Sequence, residues 1–212
     1  MFNNLAENKQ IDDKTKILVY AQSKYLKDGF YKIPMDSLAV EMHISKKTIY
    51  KHFPTKEKLV EEVARFTMNA LAGKVDEIVS SDLDAVAKIA NLFELIGTFI
   101  THVSENWLSD IKIHMPVIWE KIDTFRTKKI YSVFSTIIEQ GKREKVFLDK
   151  PSEIIITIFV ASVRAIVSPD FLYYNKFSYK EAMNICLEIL FNGILTEKGK
   201  KLLNKFINKE TK

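Results

Sequence analysis

The sequence predicts an all-α chain, with a small helical unit over residues 1–58 and a larger helical body over residues 59–212. Three observations carry this. Only six glycines and five prolines interrupt 212 residues. Apolar side chains recur at three- and four-residue spacing over long stretches, and no run of alternating polarity is closed by a hairpin-type turn. With 47% hydrophobic and 28% charged residues, the chain has the material for a packed core and not the composition of a disordered one. Short runs such as EIIITIF (153–159) have strand propensity, but they sit inside segments long enough to favour helix.

The first helix lies in DDKTKILVYAQSKYLKDGF (12–30), where Leu18, Ala21 and Tyr25 recur on one face. Asp12 or Asp13 can accept from the free N–H groups at its start. Gly29 closes it, because glycine takes positive φ readily, and Phe30 is placed to fold back onto the last turn. PMDSLAVEM (34–42) is a short second helix opened by Pro34, which loses no helical N–H bond there. His43 and Ile44 make the next turn, and Ser45 caps a third helix that must stop near Phe53 because Pro54 follows. Thr55 caps a long fourth helix through Leu59, Val63 and Phe66. Lys58 stands where Glu or Gln would complete a capping box, although Glu57 suits the positive helix end. Beyond Ser80, amphipathic helices are expected over 84–105, 107–114, 117–141, 151–167 and 178–194, followed by a short basic tail.

Charge is distributed unevenly. Net charge is +5, and residues 1–58 hold 11 of the 32 basic residues but only 7 of the 27 acidic ones. A basic head for a polyanion and a nearly neutral body for something else follow. Within the head, ISKKTIYKHFPTKEKL (44–59) gathers five lysines, a histidine and a tyrosine against Glu57 alone. Ile49 and Phe53 lie four apart and face the first helix, leaving Lys46, Lys47, Tyr50 and Lys51 outward. Two short helices joined by a tight turn, the second one cationic, are the arrangement that lays a recognition helix in the major groove of DNA. Lys56 and Lys58 add cations beside the N-terminus of the fourth helix, itself an anion site. A lone charge cluster is usually solvated surface, but here capping, turn and the stop at Pro54 agree with one another. Lysines and Tyr50 suit phosphate, and Lys47, Thr48 and Tyr50 are the candidates for base edges.

These residues, as ILVYAQSKYLKDGF and then MDSLAVEMHISKKTIYKHFPTKEKL, resemble the DNA-binding domain of TetR/AcrR-type transcriptional regulators over residues 16–59. The rest of the chain is similar to that family in helical character and length. The resemblance implies that Ser45, Lys46, Lys47 and Thr48 begin the recognition helix, that Tyr50 and His52 touch the DNA backbone, and that Lys56 grips a phosphate. Lys51, on the outward face, completes the expected DNA-binding set. Three places depart from the pattern. Ile33 and Pro34 replace the threonines that commonly open the second helix, which removes a hydroxyl contact. His43 takes the place of the turn glycine, tolerable because histidine enters the left-handed region more often than most residues. Lys47 replaces a frequent small residue and bears on specificity. The resemblance also implies a one-component regulator, a repressor, that binds a palindromic operator as a homodimer and is released by a small, largely apolar ligand.

For that ligand the body offers Phe66, Phe93, Trp107, Met115, Trp119 and Phe134, with Phe99 and Phe125 nearby. Aromatics at this spacing also build plain core, so both readings stand. His102, His114 and the two indole N–H groups could orient a ligand, and Pro116 makes a joint between two pocket helices. Residues 151–167 and 178–194 are apolar on more than one face and must be covered on several sides. A four-helix interface with a second copy would do this, with Arg164 and Glu188 as polar register pins; an ordinary monomer core is the alternative. A two-fold dimer would present two recognition helices.

An enzyme, or a helical small-molecule-binding protein with no DNA role, is the rival class. None of His43, His52, His102 and His114 has Glu three residues before it, so no di-iron bundle motif exists. GILTEKGKK (193–201) lacks both the spacing and the Ser or Thr of a phosphate loop. Cys186 is the one cysteine, which leaves no internal disulfide and no cysteine redox motif, and points to a reducing cytoplasm. The opening MFNNLAENKQIDDKTK lacks the basic start and apolar run of an export signal. The longest uncharged apolar run ends at Arg164, well short of the roughly 20 residues that span a bilayer. The expectation is therefore a cytoplasmic protein with no catalytic residues, metal, cofactor or membrane anchor.

Overall fold

The computed structural model describes residues 12–210, so most of the amino-terminal stretch read for an export signal lies outside the described residues. Within them the chain forms eleven helices: α1 (Asp13–Asp28), α2 (Met35–Glu41), α3 (Lys46–His52), α4 (Lys56–Ser80), α5 (Ala85–Ile100), α6 (Glu105–His114), α7 (Pro116–Arg143), α8 (Ser152–Ile166), α9 (Pro169–Asn175), α10 (Tyr179–Ile194) and α11 (Glu197–Glu210). No strand occurs among the described residues. One isolated antiparallel bridge joins Phe147 to Leu195, where the Thr196 N–H donates to Val146 at 3.0 Å.

The head folds by the local signals in its sequence. Asp12 accepts from the Thr15 N–H at 2.9 Å, Ser45 from Thr48 at 3.0 Å and Thr55 from Lys58 at 3.2 Å, each satisfying an N–H that the helix itself leaves open. Gly29 ends α1 at φ 80° and His43 makes the turn before α3 at φ 54°. Ile17, Ala21 and Tyr25 of α1, Leu38 of α2, Ile49 of α3 and Phe53 are completely buried. Ile17 takes the buried place expected of Leu18, which is half-exposed. The packing does not stop at residue 58: Leu59, Val60 and Val63 of α4 and Trp107 and Ile111 of α6 belong to the same buried cluster.

A second cluster fills the body, centred on stacked and edge-on rings. Phe134 and Phe159 lie 4.4 Å apart, Phe159 and Phe191 4.9 Å, and Phe93 and Phe191 4.4 Å. The buried Lys88 ties the α4–α5 corner to α7, donating to the Val79 carbonyl at 2.8 Å and to Gln140 at 3.0 Å.

Several expected bounds in the body need correction. The helix read as 84–105 ends at Ile100, because Ser104 caps α6 by accepting from Trp107. The seven-residue α9 was not expected, and the stretch read as a basic tail is helix α11. Gly193 sits inside α10 and Gly199 inside α11, where an added Cβ would meet the Val146 carbonyl at 2.3 Å. That glycine serves helix packing, not a phosphate. Among the described residues, no single helix is long and apolar enough to cross a membrane.

Helices α8 and α10 pack on each other and on the body core, yet each keeps an apolar outer face. Ile154 and Ile158 on α8 are 59% and 51% exposed, and Ile185 and Ile189 on α10 are 46% and 65% exposed. Arg164 does not stand free on that face: its guanidinium reaches Asp123 of α7 at 2.7 Å within the same chain.

Candidate nucleic-acid interface and internal cavity

The third helix presents its cations as its spacing demands. Lys46, Lys47, Tyr50 and Lys51 are exposed, and Thr48 and His52 are half-buried at its margins. Asp36 of α2 organises part of the face: Lys46 Nζ lies 2.6 Å from its carboxylate, and the Tyr50 hydroxyl donates to it at 3.4 Å. Lys46 is held above the usual lysine range by that hydrogen bond and the adjacent charge. Lys47 and Lys51 form no ion pair among the described residues. Ser45 and Thr48 share a hydroxyl contact of 2.8 Å. Lys56 is anchored differently, donating to the Tyr31 carbonyl at 2.7 Å with its ammonium 5.8 Å from the centre of the Phe30 ring; burial pulls its pKa down. The face is braced from behind, since Glu41 of α2 accepts from Tyr20 at 2.6 Å and pairs with Lys24 at 3.0 Å, both on α1.

Helix α6 grips the turn between α1 and α2. Asp110 accepts from the Phe30 and Tyr31 N–H groups, each at 2.8 Å, and its carboxylate oxygen lies 2.6 Å from where a Cβ on Gly29 would be. Any larger residue at 29 would therefore clash with that oxygen as well as strain the backbone. His114 stacks on Tyr31, with ring centres 3.7 Å apart and planes 5° from parallel. Trp107 meets the Phe30 ring edge-on at 5.9 Å, and the Ser104 N–H donates to Leu26 at 2.8 Å.

The other side of α6 faces a cavity of about 250 Å³ inside the body. Of the expected ligand residues, Phe93, Trp107, Trp119 and Phe134 line it, together with Phe99 and Phe125. Phe66 and Met115 do not. Ala64, Met68, Leu71 and Val75 carry the lining face of α4, and Phe66 falls on the opposite side at 100° per residue. Met115 sits at the α6–α7 joint and packs against the head cluster instead. Neither histidine reaches the cavity: His114 is on Tyr31, and His102 Nδ1 lies 2.8 Å from the Thr98 carbonyl.

Sequence reasoning missed the charged end of this cavity. Asp123, Arg126 and Lys129 of α7 line it. Asp123 receives Arg126 on one carboxylate oxygen and Arg164 on the other, both at 2.7 Å, while Lys129 pairs with Asp76 of α4. Charged residues three apart on an otherwise apolar helical face were the signal available. Thr67, also in the lining, accepts from Gln22 of α1 at 2.9 Å, so the cavity wall is tied directly to the head.

Known proteins share this architecture. Residues 25–63 match the family model for bacterial regulatory proteins, tetR family. The chain is 19% identical to the uncharacterized HTH-type transcriptional regulator YvaF of Bacillus subtilis (strain 168), over 82% of this chain and 92% of that protein. A TetR transcriptional regulator from Legionella pneumophila shares the fold with a TM-score of 0.66 at 20% identity, over 88% of this chain and 100% of that one. A protein from Saccharomonospora viridis in complex with choline does so at 0.67 and 18% identity, over 87% of this chain and 98% of that one. The head thus matches the tetR family model over residues 25–63, and the described residues share their helical fold with solved regulators of that kind.

Proposed function

We propose that the chain is a TetR-type regulator, a repressor that binds a palindromic operator as a homodimer through Ser45, Lys46, Lys47, Thr48, Tyr50, Lys51, His52 and Lys56, and leaves it when a small, largely apolar ligand enters the body. The observation that carries this reading is the double role of α6. Trp107 and Ile111 line the cavity, while Asp110 and His114 of the same helix hold the turn of the head. A ligand that moves α6 moves the head with it, and in a dimer it changes the spacing of two recognition helices. Coupling of this kind is reciprocal, so operator DNA disfavours the ligand by the same factor. Phe93, Trp107, Trp119 and Phe134 are the proposed ligand contacts. The head as far as residue 58 reads DNA, and the body from residue 59 binds ligand and dimerises.

The test is binding to promoter fragments from the neighbouring DNA at two salt concentrations. A regulator retains one fragment over random DNA, with affinity falling steeply as salt rises. Lys47→Ala lowers the salt slope by about one and weakens binding across sequences if Lys47 holds phosphate, or relaxes preference at one base pair if it reads a base edge. Equal retention of all fragments would overturn the operator reading.

A further inference from the structure

The lining of the cavity is almost wholly apolar except where Asp123, Arg126 and Lys129 meet it. Both oxygens of Asp123 are occupied, one by Arg126 and one by Arg164. A single carboxylate thus serves two guanidinium groups, and the cluster keeps an excess positive charge. Lys129 is neutralised separately by Asp76. The Arg126 Nε–H is buried and has no hydrogen-bond partner among the described residues. Although the rest of the Arg126 side chain is partly exposed, a buried N–H of a cationic group left unmet is costly, so this point of the site lacks an acceptor. We propose, building on the reading of the body as a ligand site, that its ligand is an amphipathic anion: a medium-sized apolar body ending in a carboxylate that accepts from Arg126 Nε.

The chemistry of the surroundings agrees. Tyr179 lines the same cavity close to Arg126, and burial raises its pKa, so the phenol stays protonated and can donate. The volume of about 250 Å³ falls just below the roughly 300–1,000 Å³ of common small-molecule sites, which favours a compact or single-chain molecule. A quaternary ammonium ligand is held by aromatic faces, and such rings are present, but the two guanidinium groups on the single Asp123 carboxylate leave the polar end net positive, which repels a cation and attracts an anion.

The ligand head also meets a junction between elements. Asp123 links Arg126 on α7 to Arg164 on α8, so an acid held at Arg126 Nε sits on the same guanidinium that, through its Nη2, holds the carboxylate tying α7 to α8.

Trp107 and Trp119 are the only two tryptophans in the chain, and both line the cavity, so their emission reports occupancy. The full-length protein is titrated with decanoate, decanol and decyltrimethylammonium at concentrations where each is monomeric. A hydrogen bond to a charged group of about 1.5–3 kcal/mol predicts that decanoate binds roughly ten- to hundredfold tighter than decanol, with decyltrimethylammonium weakest. In Arg126→Gln the preference for decanoate over decanol falls by at least about tenfold, and Arg126→Lys, which keeps the charge but not the Nε donor, lies between. The ratio within each variant removes any general loss of folding from the comparison. Equal binding of all three probes, or tighter binding of the ammonium, overturns the anion and leaves the apolar cavity standing. No response to any of them overturns both.

Discussion

At the scale of single residues, the head rests on side chains whose roles are local and separable. Asp12, Ser45 and Thr55 each hold one backbone N–H at a helix start, and His43 accepts positive φ in the turn where a residue without Cβ would be easier. Tyr25 is the exception to this thrift. Its ring is completely buried, its hydroxyl has no hydrogen-bond partner among the described residues, and burial pushes the phenol pKa far up. A buried unmet hydroxyl costs about 1–3 kcal/mol. Tyr25→Phe should therefore stabilise the protein by about 1 kcal/mol, seen as a higher urea midpoint at unchanged slope; a lower midpoint would mean that the hydroxyl has a partner after all. These caps and turn residues were legible in the sequence, because each acts within three or four positions of itself. Which lysines are tethered was not: Asp36 lies ten residues from Lys46, and the Tyr31 carbonyl 25 from Lys56.

At the scale of elements, α6 is the piece on which communication depends. It is only ten residues long, yet it contributes Trp107 and Ile111 to the cavity and Asp110 to two N–H groups of the head. Asp110→Ala leaves both donors without their acceptor, and hydrogen bonds to a charged group are worth about 1.5–3 kcal/mol each at most. We expect amide exchange at Phe30 and Tyr31 to accelerate by about tenfold or more, and the effect of ligand on DNA affinity to shrink toward none. Unchanged exchange at those two amides would show that α6 holds the turn by other means. The sequence announced the end of α6 through Pro116, but neither its start at Ser104 nor its contacts, because Asp110 and Phe30 are 80 positions apart. The same limit hid the cavity face of α4. Phe66 is the conspicuous aromatic of that helix, yet the smaller Ala64, Met68 and Leu71 face inward, since helical phase and not residue size decides which side is covered.

At the scale of the whole molecule, the outer faces of α8 and α10 carry the argument for a second copy. Ile154, Ile158, Ile185 and Ile189 lie together on two adjoining helices with roughly half or more of their surface in water. Burying such a side chain fully is worth about 1.5–3 kcal/mol, so a symmetric contact that covers four from each copy has a strong driving force. Ile189→Glu places a charge in that contact. Sedimentation should then report a monomer, with DNA affinity at least about tenfold lower because the two heads no longer bind as one unit. A variant that stays dimeric with full affinity would move the interface elsewhere.

What the sequence determined by itself is the helical class, the three-helix head with its caps, and the cationic outer face of α3, all set by periodicity and by interactions within a few residues along the chain. Tertiary structure alone decided that α4 and α6 close the core of the head, that Arg164 is bound to its own chain, and that Asp123 divides itself between two guanidinium groups beside an apolar cavity. Apart from the local Asp123–Arg126 pair, those contacts join residues tens of positions apart, and they arise only when helices pack and exclude water between them, so no local pattern in the sequence encodes them.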